Sequence, residues 1–406
     1  MDLIVTQTVG LLMAAIFVAI VARRLRLSYT VGLVIAGMAL ALARIDTENT
    51  LTHDFIFDVI LPPLLFEASL AIPMRELRRD ALPVLTLAIV GVLISAAVVA
   101  AGMVTILHWP VKPALVFGVL IAATDPVAVI AMFVDTGVKG RLRLLVESES
   151  LLNDGVAAVF FVLLLTWAQA TDTAALSAID AVRALLLTSG GGVIVGLLWG
   201  IAAIGTAGRT SDHLVETALT TVAAYGSFLC AEWLHASGVL ATVAAGLLMG
   251  NLGILNASER SRVSIRGREF VMSFWEFAAF VANSLVFLLM GVTVAGIPFG
   301  ALGATALGTA ILLVLAGRAA TVYPLCLIFA RSRWAVPLRE QHILWWGGLR
   351  GALALALALA LPPSLAWRHQ IVIAAFGVVT FSIVVQGITM PFLLRMLGIL
   401  PANRGR

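Results

Sequence analysis

The residues with chemistry to offer gather in Glu147-Ser148-Glu149-Ser150-Leu151-Leu152-Asn153-Asp154-Gly155, at the head of an apolar run that continues from Val156 to Trp167. As a helix, this run places Asp154 about 16 Å inside its polar start, near the middle of a hydrocarbon core roughly 30 Å thick. An ionisable group at that depth costs several kcal/mol unless it has a partner or binds a cation. Ser150, four residues earlier, shares the helical face of Asp154; Asn153 is adjacent, and Glu149 points to one side. A carboxylate, a hydroxyl and an amide oxygen are hard ligands suited to a small cation.

The elements that must hold these groups are membrane spans. Of 406 residues, 61% are apolar and only 12% charged, with a mean hydropathy of +1.07, whereas a soluble domain carries about 25% charged residues. Soluble classes are excluded, and an all-α polytopic membrane protein is expected. Cys230 and Cys326 both fall inside apolar runs, so buried thiols are expected and no disulfide framework. No basic residue precedes the first apolar run, while Arg23, Arg24 and Arg26 follow it, which reads as a retained span and not a cleaved signal.

About thirteen spans are expected, near 3–22, 29–43, 54–72, 81–107, 112–132, 144–170, 179–205, 213–233, 237–252, 270–295, 300–330, 340–361 and 369–397. The loops support that series. Counted in order, the odd loops and the tail hold most of the basic residues: Arg23, Arg24, Arg26, Arg75, Arg78, Arg79, Lys139, Arg141, Arg143, Arg209, Arg260, Arg262, Arg266, Arg268, Arg331, Arg333, Arg339, Arg395, Arg404 and Arg406. The opposite side has Arg44, Lys112, Arg183 and Arg368, beside Asp46, Glu48, Asp54, Asp172 and Asp180. The positive-inside rule then sets the N-terminus outside and the C-terminus inside.

Two spans are interrupted. Thr124-Asp125-Pro126 breaks the fifth, because proline removes a backbone donor and disfavours helix at the residue before it. Gly347-Gly348-Leu349-Arg350-Gly351 breaks the twelfth. Such breaks are tolerated at membrane depth only where the freed backbone is buried in protein or lines a cavity. Seven spans separate the two, so they run in opposite directions, as in two inverted six-helix repeats with the seventh span as connector; paired breaks of this kind point to a transporter site.

Asp58, Glu67, Asp125, Glu149, Asp154, Arg318 and Arg350 are the charges read as lying within spans. Asp125 and Arg350, one in each break, suit the ends of half-helix dipoles; for Asp125 a ligand role is equally open. The Thr124 carbonyl, freed by its break, is a further candidate ligand. Glu149 is expected to pair with Arg318, with Arg350 as a competing partner, in a mainly structural role. Glu67 is expected to face a water-filled route from the cytoplasm, Asp58 to be solvated near the outer surface, and Glu147 to lie near the inner one. His53, His108, His213, His235, His342 and His369 sit near span ends and do not cluster, which argues against a metal site or histidine relay. His235-Ala236-Ser237-Gly238 superficially resembles the serine motif of an intramembrane hydrolase, but no span offers a buried histidine to activate Ser237. A channel would need ligands along a continuous path.

Five segments carry a resemblance: Leu65-Phe66-Glu67-Ala68, Ala123-Thr124-Asp125-Pro126-Val127, Glu149 to Gly155, Ala316-Gly317-Arg318 and Gly347-Gly348-Leu349-Arg350-Gly351-Ala352. With these, in this order, the chain resembles the bacterial and archaeal sodium/proton antiporters of the monovalent cation:proton antiporter-1 family, relatives of the animal sodium/proton exchangers. The resemblance implies a secondary transporter and not an enzyme, with no cofactor and no nucleic-acid partner, in a prokaryotic inner membrane. It implies a homodimer, with a dimerisation part from about 1–78 and 210–296, a core of crossed broken helices from about 79–171 and 297–398, and a linker helix at 172–209. It also implies Na⁺ or Li⁺ coordination by Asp154, Ser150, the Thr124 carbonyl and Glu67, with Asp125 and Asn153 contributing directly or through water. In the family an Asn-Asp pair accompanies electroneutral exchange, so Asn153-Asp154 implies one cation for one proton. The long cytoplasmic tail of the animal exchangers is missing, so no regulation through it is expected. Potassium/proton exchange is the alternative substrate reading.

Overall fold

The computed structural model describes residues 2–25, 29–43, 52–170, 178–210, 212–254 and 264–399. Among them the regular structure is helical, with no strand and one isolated bridge between Asp125 and Leu349. The loop charges Arg26, Arg260, Arg262, Arg404 and Arg406, and on the opposite side Arg44, Asp46, Glu48 and Asp172, lie outside the described residues.

The helices in chain order are α1 (Asp2–Leu25), α2 (Tyr29–Leu42), α3 (Leu61–Ala71), α4 (Met74–Arg79), α5 (Ala81–Leu107), α6 (Val111–Leu120), α7 (Val127–Thr136), α8 (Arg141–Gln169), α9 (Ala178–Ala207), α10 (His213–Trp233), α11 (Gly238–Met249), α12 (Ile265–Ala295), α13 (Ala304–Ile328), α14 (Leu338–Trp346), α15 (Ala352–Leu359) and α16 (Arg368–Met396). Seven described helices are long and apolar enough to cross a membrane: α5, α8, α9 from Val182, α10, α12, α13 and α16. The chain is a multi-pass membrane protein on that basis.

Local chemistry explains several boundaries. Asp212 caps α10 by accepting from Leu214 N–H at 2.9 Å, and Ser237 caps α11 by accepting from Leu240 N–H at 3.2 Å, each satisfying a donor left over at a helix start. Pro110 and Pro337 precede α6 and α14 in extended conformation, where the missing N–H costs nothing. Single π turns interrupt two of the long helices, Thr86–Val90 within α5 and Ser382–Gln386 within α16. The segment expected to end near 132 reaches further: α7 runs to Thr136.

The chain divides into two compact units. The first comprises Met1–Ile56, Pro83–Asn153 and Asn283–Arg406. Within it α5 packs on α6 and α13, and Thr321 of α13 donates its hydroxyl to Gly91 O of α5 at 3.1 Å. This face carries Arg318. The second comprises Phe57–Leu82 and Asp154–Ala282. In it α9 lies along α11 so closely at Gly196 that a Cβ would come 2.0 Å from Ala241 O. Trp275 of α12, fully buried, stacks against Phe66 of α3 and donates to Thr220 Oγ1 of α10 at 2.8 Å.

One expectation is corrected at this level, and two residues gain roles that sequence did not suggest. Cys230 is half-buried at the edge of the cluster of Val195, Ala231, Ala236 and Ala241, while Cys326 is buried; both are free thiols. The interior charges include one the reading passed over: Glu216 on α10 is 1% exposed and accepts from Ser264 N–H at 3.0 Å and Ser264 Oγ at 2.8 Å. Arg141 is more than a loop cation, because its guanidinium donates to the carbonyls of Ala335 and Trp334 at 2.7 and 2.9 Å, tying α8 to the segment before α14.

Candidate functional site

Two interrupted spans meet in the first unit. Asp125 N–H donates to Leu349 O at 2.7 Å, so the break between α6 and α7 lies antiparallel against the break between α14 and α15. Four half-helix termini are thereby brought together. Each C-terminus carries partial negative charge and each N-terminus partial positive charge, in surroundings that screen them poorly.

Three side chains answer those charges. Arg350 Nη1 donates to Ala122 O at 2.6 Å and Ala123 O at 3.0 Å, at the end of α6. Arg318 donates through Nε and Nη2 to Leu344 O, at 3.2 and 3.1 Å, in the last turn of α14. Asp125 serves both N-termini, accepting from Val127 N–H at 2.9 Å for α7 and from Ala352 N–H for α15. Gly351 must lack a side chain, because a Cβ there would come 1.8 Å from Asp125 Oδ2. The π turn of α16 completes the frame: Ser382 Oγ accepts from Arg350 N–H at 2.8 Å, and Gln386 Nε2 donates to Trp346 O at 3.0 Å.

Glu149 pairs with Arg318, both arms bonded at 2.8 Å, and the side chains are 2% and 6% exposed. Arg350 is engaged with the carbonyls of Ala122 and Ala123 just beyond α6, which resolves the competition between the two arginines. Asn153, 2% exposed, donates through Nδ2 to Ala122 O at 3.3 Å, Thr124 Oγ1 at 3.2 Å and Glu149 Oε1 at 3.3 Å. Its other amide atom, Oδ1, is buried and accepts from no described residue. Ser150 Oγ lies 2.9 Å from Thr124 Oγ1 and also donates to the Thr124 carbonyl. Polar side chains of Ser150 and Asn153 on α8 and of Thr124 in the break after α6 thus converge.

Thr124, Asp125, Glu149, Ser150, Asn153, Arg318 and Arg350 belong to this one unit. Asp154 is half-buried and stands where α8 passes into the second unit, one helical turn beyond Ser150. Because α8 begins at Arg141, Asp154 is about 20 Å along its axis. Glu67 is half-buried on α3 of the second unit; Asp58 is exposed, and Glu147 sits 3.5 Å from Arg143. Sequence reading missed Ser382 and Gln386, and it set aside His53, whose Nδ1 donates to Ala356 O of α15 at 3.0 Å. Only spacing from a known break could have found them, and they are far from it in the chain.

Comparison with known proteins settles the family. The model for "Sodium/hydrogen exchanger, transmembrane" matches residues 11–396. The chain belongs to the sodium/hydrogen exchanger family. Among curated relatives, the Na⁺/H⁺ antiporter ApNhaP of Aphanothece halophytica is 40% identical over 378 residues, covering 92% of this chain and 70% of that protein. The low-affinity Na⁺/H⁺ antiporter NhaS1 of Synechocystis is 37% identical over 383 residues, with the same shares of each chain. The sodium proton antiporter MjNhaP1 of Methanocaldococcus jannaschii, solved at pH 8, superposes with a TM-score of 0.74 at 19% identity, over 98% of this chain and all of that one. Membership makes this chain one of a family of membrane transporters with the fold of that antiporter.

Proposed function

We propose that the chain is an electroneutral sodium/proton antiporter, also accepting lithium, in which Asp154 alternately carries a cation and a proton. The crossed breaks carry the reading. They free the Thr124 carbonyl beside Ser150, one turn from Asp154 on the same helix, and the buried Asn153 Oδ1 adds an acceptor among the described residues that no protein donor occupies. The names of the curated relatives support sodium as substrate.

In this reading Asp154, Ser150, the Thr124 carbonyl and Glu67 hold the cation, Asp125 and Asn153 contribute directly or through water, and Glu149, Arg318 and Arg350 keep the frame rigid. A partly dehydrated carboxylate is neutralised by a proton or by a cation, and the bare anion is the form least able to cross an apolar barrier. Exchange without leak follows when the site faces the two sides in turn. Asn153 in place of a second aspartate leaves one titrating charge per cycle, hence one cation for one proton.

The same proposal covers the architecture: about thirteen spans in two inverted repeats, N-terminus outside, in a prokaryotic inner membrane. It also covers the homodimer, built from a dimerisation part (about 1–78 and 210–296), a core (79–171 and 297–398) and the linker helix.

Proteoliposomes test it. Sodium and lithium are expected to collapse an imposed pH gradient at the same rate with and without a clamped potential, and Asp154→Asn, still folded, to be silent. Full transport by Asp154→Asn would overturn the assignment; a response to potassium alone would move the substrate to the alternative.

A further inference from the structure

The second unit contains a cavity of about 670 Å³ between the C-terminal half of α8 and the start of α9. On the far side of it α9 is held to α11 by the close contact at Gly196 and by the bond from Ser237 N–H to Thr188 O at 3.0 Å. The walls are apolar, with Val159, Leu163 and Trp167 on one side and Leu185 on the other. Val162 of the lining and Leu186 and Leu187 beside it are exposed, so the cavity is continuous with the apolar outer surface of these helices. Its polar lining is Thr166, Thr188, Ser237, Glu232 and His235, of which Glu232 and His235 are exposed. Glu232 Oε1 accepts from Gly238 N–H at 2.8 Å, which fixes the carboxylate at the rim.

A space of this size falls within the range of small-molecule sites, about 300–1,000 Å³. Water is poorly held by walls with so few polar partners, and walls facing an empty space lose their dispersion contacts. A bilayer supplies acyl chains at high local concentration, and a fixed carboxylate at one end favours an ammonium headgroup by charge-assisted hydrogen bonding.

We infer that the cavity holds one phospholipid, an acyl chain between α8 and α9 and a primary-ammonium headgroup on Glu232. The site is separate from the crossed breaks, and because it wedges α8 from α9 its occupant braces the helix that carries Asp154.

The test is lipid counting by mass spectrometry on the purified full chain after detergent exchange, from membranes containing ethanolamine and glycerol phospholipids. Wild-type protein is expected to keep one ethanolamine phospholipid per chain. Leu185→Trp narrows the acyl-chain path from the α9 side and is expected to lower retention about tenfold while thermal unfolding stays cooperative. Glu232→Gln keeps the bond from Gly238 N–H and lies on the surface; it is expected to retain lipid but lose the preference for ethanolamine over glycerol headgroups. Absence of retained phospholipid in the wild type, or full retention in folded Leu185→Trp, overturns the site. Should Leu185→Trp not fold, an unchanged headgroup preference in Glu232→Gln overturns it alone.

Discussion

Replacing Arg318 by Met is expected to destabilise the protein more than replacing Glu149 by Gln, although both break the same ion pair. The pair is bidentate at 2.8 Å and its side chains are only 6% and 2% exposed, so little solvent screens it. Removing one member of such a pair costs about 3–5 kcal/mol, chiefly by stranding the other. Glu149→Gln falls at the low end, because the amide oxygen still accepts from the guanidinium and Arg318 keeps Leu344 O. Arg318→Met also strips Leu344 O of its donors at 3.2 and 3.1 Å, and an orphaned buried acceptor adds about 1–3 kcal/mol. In the double variant no charge is stranded, so the combined loss should fall short of the sum by about 2 kcal/mol. Reversible unfolding in mixed micelles, followed by tryptophan fluorescence, reads all three differences. Equal effects of the two single changes, or strict additivity in the double variant, would refute the argument.

Two further outcomes follow from close contacts. Gly351→Ala should abolish folding or transport, since its Cβ would lie 1.8 Å from Asp125 Oδ2 and the carboxylate is committed to two helix starts; near-normal proteoliposome transport would show that the crossing relaxes. Glu216→Ala removes the acceptor of Ser264 N–H and Oγ and should cost about 1–3 kcal/mol locally. Hydrogen exchange at the first turns of α12 should then accelerate while the α6/α7 break stays protected; uniform acceleration would mean that the contact is global in effect.

What the sequence reveals depends on how local the cause is. The Asp125-Pro126 and glycine-rich breaks are legible because proline and glycine act on their own backbone, and α10 is bounded at 213–233 as expected because Asp212 caps it. Partner choice is not local. Glu149 and Arg318 lie 169 positions apart, and Arg350 offers the same guanidinium; only the crossing shows Arg350 turned to the carbonyls of Ala122 and Ala123. Glu216 is hidden for another reason: it sits in the first turn of α10, where a carboxylate ordinarily reads as solvated, and burial comes from α12 folding over it. Arg141 fits the positive-inside pattern, which conceals its bonds to two carbonyls. The π turn that places Ser382 and Gln386 lies inside a long apolar helix, and neither proline nor a glycine cluster within the turn marks the change.

The central claim is that a proton and a sodium ion compete for Asp154. The apparent KM for sodium, measured in proteoliposomes across a pH series with equal pH on both sides, tests it most directly. Competition predicts that KM rises as pH falls, approaching about tenfold per unit once protons outcompete the empty site, with the maximal rate little changed. A KM that stays constant while the maximal rate alone falls with pH would contradict a shared carboxylate and place the proton elsewhere.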